Sequence, residues 1–514
     1  MVLRNAVHND LYADSVALMR VAARLAGSPG VDAVSLVMAT PANREVLADA
    51  ELLAEEGRSA APNDLIVAVR GTPAAVERAL ADAVTALRDT GAPPDGTPGA
   101  PAAPPPRSLA AAPADADLAL ISTPGAYAAA EARKALRRGL HAFVFSDHVP
   151  LDDEVALKQE AARSGLLVMG PDCGTAVIGG VPLGFANAVR PGTVGLTGAS
   201  GTGLQQVSTL LHDLGAGVSH IIGTGSRDVS DAVGGLTTRA ALDALAADPA
   251  TDSLVLVSKP PAPQVAERLL ARIGELGKPA VVCFLGWDPE GVPVPPGVTL
   301  APTLYEAARA AAEQALGHPV PAEPVPSLPE PPPDRRLLRA LYTGGTFAHE
   351  ADLLLGPALG PLDRTAGRPG APPALPPRHL VLDLGDDAYT AGRPHPMIDP
   401  AVRDAWLRAA LADPAAAVIV LDLVIGHGAA PDPASAIAAT LAGADADRPA
   451  VLCFVVGTDE DPQGASAQRR VLREAGAEVV GSSTQAALAC ARLLGGDRAT
   501  RASAPRPATI GGPA

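Results

Sequence analysis

The stretch TGASGTGLQQVS, residues 197–208, follows the apolar residues Val194 to Leu196 and runs into a helical pattern. A glycine turn that opens a helix leaves N–H groups without intrahelical acceptors, and the helix dipole adds partial positive charge there. Such a place cradles an anion, and phosphate is its usual occupant. Gly198, Gly201 and Gly203 let a ligand approach the backbone, and Ser200 and Thr202 add hydroxyl donors. The stretch is no Walker loop, because no lysine follows. It is no complete dinucleotide fingerprint, because Gln206 stands where a third glycine belongs. A tight turn capped by Ser and Thr would use the same residues. A second stretch, YTGGTFAHEA (342–351), carries Gly344, Gly345 and Thr346 in the same layout, which favours the anion reading.

Other polar loops could add acid/base chemistry. GDDAYTAGRPHPMIDP (385–400) gathers Asp386, Asp387, Arg393, His395 and Asp399. An imidazole beside carboxylates and a guanidinium suits proton transfer or the clamping of a carboxylate. A plain polar surface loop would look the same. VIGHGAAPDPAS (424–435) sets His427 between glycines at the end of an apolar run. Parallel sheets bind ligands at such strand ends. The corresponding VSKPPAP offers Lys259, and GTGSRDVSDAVGG (223–235) precedes a helix with Thr237 and Thr238 as candidate caps. Cys173, in MGPDCGT, has no histidine close in sequence and reads as a buried thiol rather than a nucleophile.

These loops need a scaffold. A chain of 514 residues, 47% hydrophobic, holds several packed domains, and 3% aromatics leaves their cores to Ala, Val and Leu. A net charge of −16 argues against a nucleic-acid backbone as partner. No apolar run has the length of a membrane span, and the start MVLRNAVHNDLY is no signal peptide, so a cytoplasmic location is expected. The cysteines are widely spaced and form no metal motif.

The chain divides into a small α+β block of ferredoxin-like type (1–90), a Pro-rich linker (91–112), a Rossmann-like block (113–186), a first ligase-like block (187–317), a second Pro-rich linker (318–335), a second ligase-like block (336–496) and a tail expected to be disordered (497–514). A further loop is expected at 361–378. The two large blocks repeat each other. ALAADPATDSLVLVSKP matches ALADPAAAVIVLDLVIG, and GKPAVVCFLG matches DRPAVLCFVVG, with Cys283 and Cys453 at matching places. Two such units can pair and bring their loop ends together.

Residues 116–290 resemble the α subunit of succinyl-CoA synthetase. GASGTGLQQ matches the start of that family's phosphate-binding helix, and STPGAY and FSDHVP match loops that touch CoA there. The second repeat is similar to the ligase domain of the partner β subunit. HPMIDPAVRD and DPAAAVIVLDLVIGHGAAPDPA extend the likeness over nearly the whole chain, which resembles the FdrA family. The resemblance implies an α/β fold: a Rossmann-like CoA-binding-type domain, two flavodoxin-like succinyl-CoA-synthetase-type domains and a small N-terminal α+β domain. It implies a CoA-like site at Ser122, Pro124, Gly125, Ser146 and Asp147. CoA is the implied cofactor, although the residues alone require none. The residues fit a small anionic substrate, phosphate or a carboxylate. The resemblance implies assembly with other subunits and leaves a homodimer open.

One departure matters. The synthetase carries a phosphorylated histidine in a loop that here reads WDPEGVPVPPGVTLAPT, without any histidine. No ATP-grasp domain is visible either. The resemblance therefore points to an FdrA-type subunit of an oxamate carbamoyltransferase in purine (allantoin) breakdown, exchanging oxalurate and phosphate with oxamate and carbamoyl phosphate. His395, Arg393, Asp399 and His427 would orient or protonate the acceptor. The alternatives are an acyl-CoA synthetase subunit that needs a partner for ATP, and a non-catalytic subunit that senses a metabolite.

Overall fold

Short apolar runs in the first 71 residues build a three-stranded antiparallel sheet of β1 (Val2–His8), β2 (Val31–Met38) and β3 (Leu65–Gly71), in the order β1-β3-β2. The helices α1 (Ser15–Ala26), α2 (Pro41–Asp49), α3 (Glu55–Arg58) and α4 (Pro73–Asp89) complete the unit. Leu18, Val21 and Leu25 of α1 and Val76 and Ala83 of α4 pack on Val67 and Val69. Leu47 of α2 packs on Ile66 and Ala68 on the other face. This computed structural model describes residues 1–11, 13, 15–89, 108–365, 373–390 and 395–495. Most of the first Pro-rich stretch, the tail, part of the 361–378 loop and Arg393 lie outside the described residues.

Three parallel strands follow, β4 (Leu118–Ile121), β5 (His141–Val144) and β6 (Val168–Met169), joined by α5 (Gly125–Arg137) and α6 (Leu151–Ser164). Ala128, Ala132 and Ala135 give α5 a small-residue face that lets it lie close to the sheet. The hairpin of β7 (Thr175–Ile178) and β8 (Val181–Gly184) does not join this sheet. It adds to the next one, so the second sheet ends before residue 175.

The next unit comprises β9 (Pro191–Ala199), α7 (Gly201–Asp213), β10 (Val218–Gly223), α8 (Leu236–Ala247), β11 (Ser253–Ser258), α9 (Pro263–Glu275), β12 (Ala280–Phe284), β13 (Val298–Leu300) and α10 (Leu304–Leu316). Its sheet runs β13-β12-β11-β9-β10-β7-β8, and β7 meets β10 antiparallel. The last unit comprises β14 (Leu337–Tyr342), α11 (Gly345–Leu359), β15 (Leu380–Asp383), α12 (Asp387–Thr390), α13 (Ala401–Leu411), β16 (Ala416–Val424), α14 (Pro433–Ala442), β17 (Ala450–Val456), α15 (Ala465–Glu474), β18 (Glu478–Val480) and α16 (Ser483–Gly495). Its order is β15-β14-β16-β17-β18. Both units thus share the flavodoxin-like order of second, first, third, fourth and fifth strand.

One continuous core joins the two repeats. Val207 and Leu211 of α7, Ala308 of α10, Phe347 and Ala351 of α11 and Ala487 of α16 fill the space between the sheets. The cysteine match between the repeats does not hold in three dimensions. Cys283 belongs to this shared core, whereas Cys453 faces the opposite side of its sheet. Leu452 and Phe454 take the shared side instead. A one-residue slip in a strand reverses the face of every side chain, and local identity of the letters does not register that.

The second Pro-rich stretch, residues 318–335, forms neither helix nor strand, as its prolines require. It is strapped down. Val320 is buried in the shared core, the Glu323 N–H donates to the Tyr305 hydroxyl at 2.6 Å, and Gln485 donates to the Glu323 carboxylate at 2.8 Å.

Candidate functional site

The two glycine loops meet. Ser200 is the extended N-cap residue of α7 but does not cap it, because its hydroxyl lies 2.7 Å from the Thr346 hydroxyl in the first turn of α11. A Cβ on Gly203 would stand 3.2 Å from Thr346 Cγ2, and one on Gly344 would stand 2.9 Å from Thr202 Cγ2. Larger residues would push the helix starts apart. A Cβ on Gly198, near the end of β9, would fall 1.8 Å from the carbonyl oxygen of its β11 partner Val257, so only glycine fits there. Among the described residues no protein acceptor is found for the N–H groups of Gly201, Thr202 and Gly203. Such orphan donors at a helix start attract anions.

The second loop is occupied differently. The fully buried Asp422 accepts the Thr343 N–H at 2.8 Å, the Thr343 hydroxyl at 2.8 Å and the Gly344 N–H at 3.0 Å, with Arg403 at 3.4 Å. Burial pushes its carboxyl up, and Arg403 and these donors pull it down. The Gly344 N–H, counted among the phosphate donors from sequence, is therefore already used. Only Gly345 and Thr346 keep N–H groups without a protein acceptor among the described residues. Beside them stands Asp383 at the end of β15. A Cβ on Gly345 would lie 2.4 Å from Asp383 Oδ2 and 3.4 Å from Lys259 Nζ. Burial raises the Asp383 carboxyl to about 6, against the pull of Lys259 and of the Gly385 N–H, which donates at 3.0 Å.

These groups open into a cleft of about 880 Å³ to which all four units contribute. Ser122, Pro124, Gly125, Ser146 and Asp147 line it, as do Gly198, Ser200, Gly201, Thr202, Gly344, Gly345 and Thr346. Gly203 lies just behind, against Thr346. The loops after β4 and β5 interlock. Ser146 donates to the Thr123 carbonyl at 2.5 Å, and a Cβ on Gly125 would fall 2.2 Å from the Asp147 carbonyl oxygen. The N-terminal unit supplies an apolar wall that includes Leu18, Met19, Leu36 and Met38.

The loop that follows the cleft-lining residues Gly223–Ser226 is held from below. Lys158, fully buried, donates to Glu154 at 2.9 Å, to Asp228 at 2.8 Å and to the Thr224 carbonyl at 2.9 Å. Asp228 also accepts the N–H groups of Thr237 and Thr238, at 3.1 and 2.8 Å. The helix start expected to be capped by those threonines is therefore capped by Asp228.

Of the four proposed acid/base residues, the structure brings one into the cleft. His395 lines it and faces Phe185 with ring centroids 6.0 Å apart. Its Nδ1 accepts the Met397 N–H at 3.2 Å, which assigns the proton to Nε2. Burial pushes the imidazole down to about 4, so it is a neutral donor at neutral pH. Asp399 does not line the cleft and accepts the Ala401 N–H at 3.0 Å, at the start of α13. His427 is exposed outside it, and its N–H donates to the Ala186 carbonyl at 2.8 Å to bridge two units. Arg393 lies outside the described residues.

Cys173 touches the cleft as a buried thiol, pushed up to about 12 by burial, which makes it a poor nucleophile. Sequence reasoning passed over His148, Asp383 and Asp422. His148 holds a left-handed backbone at φ +52° and sits between Asp147 at 3.1 Å and Asp387 at 3.4 Å, which raise its imidazole. Asp422 did leave a signal, a lone charge inside the apolar run VIVLDLV. An aspartate at a strand end, such as Asp383, leaves none.

Comparison with known proteins bears on this geometry. Residues 1–102 match the AllF heavy metal-associated domain, residues 189–286 the CoA binding domain and residues 341–493 the CoA-ligase family. The chain is 38% identical to the uncharacterized protein YahF of Escherichia coli (strain K12), over 95% of this chain and 98% of that one. The chain belongs to the FdrA family. Within that family it is a CoA-ligase-like enzyme. It is also 27% identical to the succinate–CoA ligase [ADP-forming] subunit alpha of Methanothermobacter thermautotrophicus, over 36% of this chain and 60% of that one. A solved structure, the apo form of the dinucleotide-forming acetyl-coenzyme A synthetase 1 of Ca. Korarchaeum cryptofilum, covers 77% of this chain and 86% of its own, with 16% identity and a TM-score of 0.33. The CoA binding match falls one unit downstream of the 113–186 block to which sequence reading gave that part. The metal-associated match does not carry metal chemistry with it. Residues 1–102 contain no cysteine and one histidine, His8, which is no thiolate site. Among the described residues, no helix is long and apolar enough to cross a membrane.

Proposed function

We propose that the cleft transfers an acyl-type group between phosphate and a second acceptor, with the phosphoryl group held at the start of α7. The observation that carries this is the Ser200–Thr346 contact, which closes two helix N-termini on one point. The N–H groups of Gly201, Thr202 and Gly203, with the hydroxyls of Ser200 and Thr202, would stabilise charge on a departing phosphate. The acceptor attacks the acyl carbon, the acyl–oxygen bond breaks, and phosphate takes the electron pair. His395, as a neutral donor, would orient the acyl oxygen or the acceptor.

CoA is the first acceptor to test. The loops at Ser122–Gly125 and Ser146–Asp147 line the same cleft, and α5 begins there at Gly125 without a side-chain cap. An uncapped helix start suits a phosphate of CoA. The matches to CoA-binding and CoA-ligase families support this reading, with ATP chemistry supplied by a partner subunit. The second reading is carbamoyl transfer between carbamoyl phosphate and oxamate. It is favoured by the absence of any histidine in residues 287–303, because a phosphate leaving group needs no phosphohistidine relay.

Phosphate release by the complex purified from its own host separates the two. One reaction receives carbamoyl phosphate and oxamate, and another receives ATP, CoA and small carboxylates. Release only in the first supports carbamoyl transfer. CoA-dependent release only in the second supports the ligase. Release in neither, with no phosphate or CoA binding by calorimetry, defeats both.

A further inference from the structure

The two repeats share a fold but not a charge pattern. Both helix starts are framed by three strands, so their positions can be compared. Setting the N-cap residues Ser200 and Gly344 on each other places Gly198 on Tyr342. Gly198 pairs with Gly223 and Val257 across its neighbouring strands. Tyr342 pairs with Asp383, and Asp422 follows the Leu341–Leu421 pair by one residue. The second repeat therefore has carboxylates where the first has Gly223 and Val257. These carboxylates make the start of α11 less favourable to an anion than that of α7.

The two carboxylates are not equivalent. Asp422 is saturated by Thr343, Gly344 and Arg403. Asp383 accepts one N–H, from Gly385, on Oδ1. Among the described residues no donor is found for its Oδ2, which lies over Gly345 at the wall of the cleft. Lys259 stands nearby, exposed, and has no ion-pair partner among the described residues.

We propose that Asp383 is the proton acceptor for the attacking group, set beside Lys259 at the start of α11, next to the anion cradle of α7. This rests on the reading of the cleft as a site of acyl transfer. The nucleophile is a thiol or an amide N–H. As its sulfur or nitrogen bonds to the acyl carbon, its proton passes to Asp383 Oδ2. The carbon–oxygen bond to phosphate breaks, and the phosphate leaves towards Gly201–Gly203. Lys259 keeps the carboxylate available despite its partial burial. The charged and titratable groups that face Asp383 are Lys259, Asp386 and Asp422, with His395 beyond Gly385.

The test uses Asp383→Asn in the whole complex, with Lys259→Met beside it. Turnover is followed from pH 5 to 8 with carbamoyl phosphate and oxamate, and with acetyl phosphate and CoA. Sulfate, which does not titrate in that range, probes the anion site by calorimetry. In the wild type, kcat/KM should fall on the acid side with a midpoint near 6. Asp383→Asn should lose about 10²–10⁴-fold in kcat and abolish that limb, while sulfate binds at least as tightly as before. Lys259→Met should weaken sulfate binding and move the limb to higher pH. An acid limb retained by Asp383→Asn with kcat within threefold of wild type overturns the proposal, and so does loss of sulfate binding in that variant. Should the wild type turn over neither substrate pair, the acyl-transfer reading fails. The proposal falls with it, and sulfate affinity then reads only whether Asp383 titrates beside the anion site. A wild-type affinity that falls from pH 5 to 8 more steeply than that of Asp383→Asn then leaves Asp383 only as a carboxylate that titrates near the cradle, with its role as proton acceptor overturned, and equal slopes remove even that.

Discussion

Ser200 and Thr346, 146 residues apart in the chain, meet hydroxyl to hydroxyl at 2.7 Å inside the protein. Each begins a helix from a different repeat, and each lies at the base of the same cleft. The contact converts two separate glycine turns into one site. Replacing each by Ala, singly and together, should reveal a coupling of about 1 kcal/mol in urea denaturation. Ser200→Val with Thr202→Val should abolish dependence on phosphate. Unchanged phosphate kinetics in that double variant would remove the site from α7.

Asp422 should be a stability residue. Asp422→Ala leaves the buried Arg403 without its carboxylate, and the Thr343 and Gly344 N–H groups without an acceptor. A loss of roughly 3–5 kcal/mol is expected, as for other broken buried pairs. Thermal and urea denaturation would read it directly. A loss below about 1 kcal/mol would mean that the second glycine loop does not depend on this carboxylate.

Asp383 should cost stability at neutral pH. Its carboxyl is raised from 3.8 to about 6, so between those values the folded chain binds a proton that the unfolded chain has released. Stability therefore falls as pH rises through that window and stays lowered above it. Asp383→Asn removes the cost. It should raise the Tm at pH 8, by an amount corresponding to roughly 2–3 kcal/mol at most, and leave it nearly unchanged near pH 4. A variant that gains stability while losing turnover is the pattern of a strained functional group. An equal Tm difference at both pH values would show that the carboxyl does not titrate in this way.

His395 acts in the opposite sense. Its imidazole is pushed from 6.5 down to about 4, so between those values the unfolded chain binds the extra proton. Stability is present above about 6.5 and is lost as pH falls towards 4. His395→Gln should flatten this part of the wild-type profile. Equal slopes for wild type and variant between pH 6.5 and 4 would place His395 in a wetter setting than the cleft wall.

Much of this architecture is local in origin, and the letters show it. Short, nearly continuous apolar runs mark β11, β14 and β16, strands buried on both faces, and glycine turns mark the starts of α7 and α11. The repeat is visible because equal strands and loops recur in equal order. The limits of such reading are visible in particular residues. His395 and His427 both sit in polar loops near glycines, yet one enters the cleft and the other bridges to Ala186 outside it. Asp399 belongs to the same loop as His395 but serves the start of α13. Thr237 and Thr238 look like caps, yet they are capped by Asp228, which Lys158 of another unit holds in place.

The sequence by itself determined the glycine loops, the duplicated α/β units and the absence of a histidine after β12, because each depends on near neighbours and on strand and helix periodicity. The tertiary structure decided which loops share a cleft, that Asp422 already fills part of the second cradle, and that Asp383 lies open beside Lys259. Those outcomes depend on how two sheets pack through one shared core. That packing brings residues more than a hundred positions apart within a few ångströms, and no local pattern encodes such a distance.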